Sequence, residues 1–218
     1  MIKVYIPIPL LIASLFVAIA LAQFRRAIKM GAIRTFFHDL VANLGKAVLA
    51  KVPDQIHLEP VASPRWKDQA AMERLASPLL QLGFTDLGTF GVNVMPRTLI
   101  RLLFHAQRHV SAHIYEHPGA GTWIEFATRY NDGSSQTLST LYPTGIRRPA
   151  WVRTIHADRN VASNQLFERL LIEQRQDGIK PVKSSDVVRE FEENFARYIA
   201  WKKTNGLSAG EFVKAAAR

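Results

Sequence analysis

Hydrophobic and polar positions divide the chain into four rhythms. An uncharged apolar run comes first, then a helical stripe, then short alternating segments, then helical stripes again. The opening run, Val4 to Phe24 (VYIPIPLLIASLFVAIALAQF), is 21 residues long. As a helix it rises about 31 Å, enough to cross the hydrocarbon layer of a bilayer. Pro7 and Pro9 fall near the first turn, where amide donors have no helical partner in any case. Residues 1–24 are therefore expected to form a transmembrane anchor. A cleaved signal peptide is the competing reading, since Ala20-Leu21-Ala22 makes an A-x-A site. Arg25, Arg26 and Lys29 follow that site at once, and positive charge there resists translocation. The same bias places the N-terminus outside and the bulk of the chain on the cytoplasmic side of an inner-type membrane.

Residues 25–52 continue with Ile28, Ile33, Phe36, Phe37, Leu40, Val41, Leu44 and Val48 at three- and four-residue steps. That spacing predicts an amphipathic helix. Arg25, Arg26, Lys29 and Arg34, with Phe36 and Phe37, are the candidate lipid contacts, because a basic amphipathic helix beside a span lies in the interface. Residues 53–65 hold three prolines and no period, and read as a linker. Residues 66–218 are expected to fold as one domain.

Within that domain the stretch from Trp66 to Leu82 is helical, with Pro78 inside it and Gly83 as its stop. Then DLGTFGVNV, TLIRLLFHA, RHVSAHIYE, TWIEFATRYN and SQTLSTLY alternate with the period of strands. Met95-Pro96, His117 to Gly121, Asn131-Asp132-Gly133 and Pro143-Thr144-Gly145 supply turns. A short extended piece runs from Trp151 to His156. Ser163 is placed to cap one helix ending near Gly178, and Ser185 a longer one ending at Gly206. Ser208 and Glu211 have the spacing of a capping box. The expected class is α+β: an N-terminal transmembrane helix and an amphipathic helix, then an antiparallel β-meander of four to five strands with helices packed on one face.

Charge changes the picture of partners. The formal net charge of +10 is uneven: residues 25–51 carry six Lys or Arg against one Asp, directly after the apolar run. That points to a bilayer with anionic lipid and to integral membrane protein subunits as partners. No nucleic-acid-binding motif is present, so nucleic acid is not expected. The absence of cysteine excludes disulfides and thiolate metal sites.

Candidate chemistry is concentrated in FHAQRHVSAHIYEHPGAG, which places His105, His109, His113 and His117 four residues apart. HIYEH fits the H-x-x-E-H pattern, in which His113 and His117 would hold zinc and Glu116 would activate water. The local pattern argues for a strand instead: Val110, Ala112 and Ile114 alternate with His109, Ser111, His113 and Tyr115. On a strand, histidines four residues apart stand about 13 Å apart and share no ion. No metal, cofactor or catalytic residue is therefore expected. Trp123, Arg147, Arg148 and Trp151 are the candidate partner surface. The expected function is a non-catalytic, single-span accessory subunit of a membrane complex, energy-transducing by analogy alone. The alternatives are a membrane-tethered ligand-binding or sensory domain, and a His/Glu metal-dependent hydrolase. A polar pocket on the sheet would favour the former.

Overall fold

The computed structural model describes residues 49–143, 145–206, 208 and 211. Its elements in chain order are β1 (Leu58–Pro60), α1 (Gln69–Gln81), β2 (Thr85–Val92), β3 (Met95–His105), β4 (Val110–His117), β5 (Gly121–Arg129), β6 (Ser135–Ser139), β7 (Val152–His156), α2 (Ser163–Glu173) and α3 (Val187–Asn205). A 3-10 turn, Ser184–Asp186, leads into α3.

The strands form one seven-stranded sheet in the order of the chain. Neighbours from β1 to β6 are antiparallel, and β7 joins β6 in parallel. The expected four- to five-stranded antiparallel meander is thus corrected to a seven-stranded mixed sheet. The stretch read as a linker supplies β1, which pairs Leu58 with Val92 and Pro60 with Phe90. Three residues ending in proline show no period, and an edge strand tolerates proline because its outer side needs no donor. Met95-Pro96 is not the turn between β2 and β3. Val92 pairs with Met95, so Asn93-Val94 turn and Pro96 lies within β3.

Helices cover both faces, which corrects the one-face arrangement. Met72, Ala76 and Leu79 of α1 and Leu166, Phe167 and Leu170 of α2 pack with Val110, Ala112, Ile114, Ile124, Phe126 and Leu138. On the opposite face Val187, Phe191 and Phe195 of α3 pack with Ile100, Leu102 and Phe104. A strand sandwiched this way is apolar on both sides where helices cover it, as β3 is.

α1 starts at Asp68, whose Oδ1 accepts the Ala71 amide at 2.8 Å, and it runs through Pro78. Gly83, with φ 90°, turns the chain out of it. α2 begins at Ser163, but Ala162 is its cap residue and the Ser163 hydroxyl caps nothing. The Ser208–Glu211 box forms: the Ser208 amide donates to Glu211 Oε2 at 2.8 Å and the Glu211 amide to Ser208 Oγ at 3.3 Å.

The transmembrane expectation is corrected. No helix among the described residues is long and apolar enough to cross a membrane. The anchor expected over residues 1–24 and the amphipathic helix up to residue 48 lie outside the described residues, and so do Arg25, Arg26, Lys29, Arg34, Phe36 and Phe37.

Candidate functional site

The sheet face beneath α3 is divided. Over β1 to β3 it is apolar: Leu58, Phe90, Val92, Ile100, Leu102 and Phe104. Over β5 and β6 it turns polar. Alternation along these strands sends Glu125 and Arg129, and Ser135, Thr137 and Ser139, toward the same helix. Two cavities open there. One of about 180 Å³ is lined by these strands together with Arg148, Phe191, Asn194, Phe195 and Tyr198. The other, of about 260 Å³, is lined by Lys180, Glu190, Glu193 and Arg197, and shares Arg129 and Asn194 with the first.

A hydrogen-bonded chain of side chains runs along the floor. Ser139 Oγ donates to Glu125 Oε1 at 2.8 Å, and Tyr115 Oη to Glu125 Oε2 at 3.4 Å. His113 Nδ1 lies 3.5 Å from Tyr115 Oη, and its Nε2 lies 2.9 Å from Ser111 Oγ. Because Ser111 Oγ donates to the Ala127 carbonyl, it is left to accept from His113 Nε2–H, which assigns the neutral imidazole to that tautomer. Burial, with a smaller push from Arg129, lowers the His113 pKa to about 3. Burial, and then Glu125, raises that of Tyr115 well above its ordinary value. Phe191 closes edge-on over His113 at 5.1 Å between ring centroids.

Arg129 and Ser135, neighbours in the cleft, have no such partner. The partly buried Arg129 side chain makes no hydrogen bond and no ion pair within 4 Å among the described residues. Burial lowers its pKa, against the pull of Glu190 and Tyr115, and Arg197 repels it. Ser135 pairs with Arg129 across the β5–β6 ladder. It is 3 % exposed, and its hydroxyl is buried without a hydrogen-bond partner. A buried polar group left unpaired costs about 1–3 kcal/mol, so each such group calls for an explanation.

The four histidines go to four places. His105 packs between Phe84 and Phe167 on the α2 face, with centroids at 5.1 and 5.4 Å. His109 is not in a strand at all: it takes φ 50° in the turn before β4 and exchanges contacts with the Val182 backbone at 3.3 Å. His113 faces α3. His117 accepts the Gly119 amide at 3.1 Å in the next turn. Glu116 points to the other face, where it accepts the amides of Lys67 at 2.8 Å and Asp68 at 2.9 Å. The strand therefore splits His113 from Glu116, and the zinc-peptidase arrangement is not assembled. Among the described residues no three His, Asp or Glu side chains come together to hold a metal ion.

The expected partner surface is largely taken up within the chain. Trp123, only 9 % exposed, stacks on Tyr115. Trp151 lies beneath the Arg197 guanidinium at 3.8 Å. Arg147 donates its amide to Glu211 and a guanidinium N–H to the Asn205 carbonyl at 3.2 Å. Arg148 lines the cleft under α3.

A larger groove of about 860 Å³ lies across the end of the sheet on the α1 side, lined by Arg65, Lys67, Arg97, Glu116 and His117. Arg65, Lys67 and Arg97 are exposed, so water already solvates them. The cleft under α3 differs in that the Ser135 hydroxyl is withdrawn from water without a partner, beside a partly buried arginine.

Arg129, Ser135 and Glu125 escaped the sequence reading because alternate polar residues in a strand ordinarily face solvent. One signal was available: Trp123 shares their face, and a tryptophan among charges two residues apart marks a covered surface. No protein-family profile, curated protein or solved structure matches the chain.

Proposed function

We propose that this domain binds a small polar molecule in the cleft between β5–β6 and α3, and does so without transforming it. One observation carries the reading: Arg129 and Ser135 sit side by side under α3 as donors without acceptors. A fold keeps such a cost where a ligand repays it on binding. Aromatic side chains of Phe191, Phe195 and Tyr198 give the same cleft an apolar wall.

The absence of a tuned acid or base supports binding over catalysis. His113 is held neutral far below its ordinary range and Tyr115 is held protonated, so neither exchanges protons near neutral pH. The accessory-subunit alternative receives less support, because Trp123 and Trp151 are occupied by Tyr115 and Arg197.

The test is ligand-observed NMR on the full chain with a panel of small organic acids, polyols and amino acids, repeated on Asn194→Trp. Asn194 lines both cavities from the helix side, so the indole fills them without touching the sheet ladder. Saturable binding that the variant abolishes supports the reading. No binding of any panel compound at millimolar concentration refutes it.

A further inference from the structure

Resting on the ligand-binding reading, we infer that the ligand is a monocarboxylate with an aromatic or apolar body, seated on Arg129 and Ser135. The argument begins with the donors. A guanidinium offers parallel N–H groups in a planar fork that matches a carboxylate in two-point contact. A hydroxyl beside it supplies one further donor to the same group. Arg129 and Ser135 are direct cross-strand partners, so their side chains leave the sheet as neighbours on one face.

Charge decides between a monoanion and a dianion. Four cations, Arg129, Arg148, Lys180 and Arg197, line the two cavities against three carboxylates, Glu125, Glu190 and Glu193. Two of the other cations are already engaged, while Arg148 makes no ion pair among the described residues. Lys180 pairs with Glu190 at 2.6 Å, and Arg197 donates to the Gly133 carbonyl at 2.6 Å while lying over Trp151. The lining carries one net positive charge, which suits one negative charge. A phosphate dianion would exceed that charge and face the same three carboxylates.

Size and wall chemistry decide the body. Cavities of about 180 and 260 Å³ hold a small molecule, not a polymer. Phe191, Phe195 and Tyr198 line the helix side and leave an apolar surface for the rest of the ligand. Glu125 faces the same space, where it accepts from Ser139 and Tyr115 and makes no ion pair with Arg129.

The experiment is titration calorimetry of the full chain with benzoate, benzamide and inorganic phosphate, on the parent and on Arg129→Met and Ser135→Ala. The unfolding midpoint of each protein is measured alongside. Benzoate is expected to bind at least about tenfold more tightly than benzamide, because only the acid forms the charged two-point contact. Arg129→Met is expected to lose that preference and to keep or raise the unfolding midpoint, since it removes a partly buried charge that makes no ion pair. A merely structural arginine would lower the midpoint instead. Ser135→Ala is expected to weaken benzoate several-fold with the fold intact, and it decides the matter if the methionine variant does not fold. Benzamide bound as tightly as benzoate, and displaced by Asn194→Trp, would overturn the carboxylate assignment while leaving the binding role standing. Phosphate bound more tightly than benzoate would overturn the monoanion argument. Failure of all three probes on the parent, together with an empty NMR panel, would overturn both.

Discussion

Tyr115 and Trp123 face each other across the β4–β5 ladder with ring centroids 4.6 Å apart and planes 6° from parallel. The stack joins two central strands and sets the phenol so that its hydroxyl reaches Glu125. Aromatic pairs of this kind add about 0.5–1.5 kcal/mol beyond the area they bury. Trp123→Ala is expected to cost about 3–5 kcal/mol in urea unfolding. Tyr115→Phe keeps the ring contact and removes only a long hydrogen bond, so its expected cost is about 1 kcal/mol or less. Equal losses in the two variants would show that the hydroxyl, not the stack, matters.

Stability is expected to fall as pH drops from 6.5 toward 3. His113 is held neutral down to about pH 3, chiefly by burial beneath Phe191, whereas in the unfolded chain it takes up a proton near 6.5. In that window the unfolded state binds more protons, so acid favours it, by up to about 1.4 kcal/mol per pH unit. His105, whose pKa is also lowered chiefly by burial, adds a slope of the same sign. Unfolding free energies at pH 7, 5.5 and 4.5 measure the slope. His113→Asn, which cannot titrate, is expected to flatten it without abolishing it.

The buried pair of Lys202 and Glu211 is expected to hold the chain in position more than it stabilises it. The two groups meet at 3.2 Å, with side chains 3 % and 7 % exposed. Burial pushes the Glu211 carboxyl up, but the Ser208 amide and hydroxyl, the Arg147 amide and the Lys202 ammonium outweigh it and bring the pKa to about 2. Burial, with Arg147 and Arg148 adding to it, lowers the Lys202 pKa against the pull of Glu211, so the ammonium is not fully compensated. Glu211→Ala, which strands the lysine, is expected to cost about 3–5 kcal/mol. Lys202→Met combined with Glu211→Leu is expected to recover part of that loss, since the Ser208 and Arg147 amides still lack their acceptor. A double-mutant cycle in chemical denaturation checks both figures.

Glu116→Gln is expected to destabilise the fold. Glu116 ties the strap before α1 to β4 by accepting the Lys67 and Asp68 amides. The amide side chain offers one acceptor oxygen where two are needed, so one charge-assisted bond is lost, at about 1.5–3 kcal/mol. Thermal unfolding measures the loss. Hydrogen exchange at the Lys67 and Asp68 amides is expected to accelerate in the variant.

Much of the local structure was legible because it is written in neighbouring residues. The alternation of Val110, Ala112 and Ile114 with Ser111, His113 and Tyr115 placed β4 as a strand, and Asn131-Asp132-Gly133 marked the hairpin turn between β5 and β6. Gly206, with φ 66°, ended α3 where its lack of a side chain suggested. β1 was not legible, because three residues ending in Pro60 carry no period and pair only through Phe90 and its neighbours, some thirty residues on. β7 was legible as the extended piece from Trp151 to His156, but not its parallel pairing with β6, which depends on where the loop between them travels.

By itself the sequence determined which residues of each strand share a face, since a period of two is a property of the extended chain. Only the tertiary structure decided what each face meets. Arg129 and Ser135 alternate with core residues as a solvent-facing pair would. Ser135 becomes a buried donor without a partner, and Arg129 a partly buried one, because α3, arriving more than fifty residues later in the chain, anchors Val187 and Phe191 over β2–β4 and carries Asn194, Phe195 and Tyr198 across β5 and β6. Burial is set by long-range packing, and the cost of withdrawing a charge from water appears only when that packing is complete.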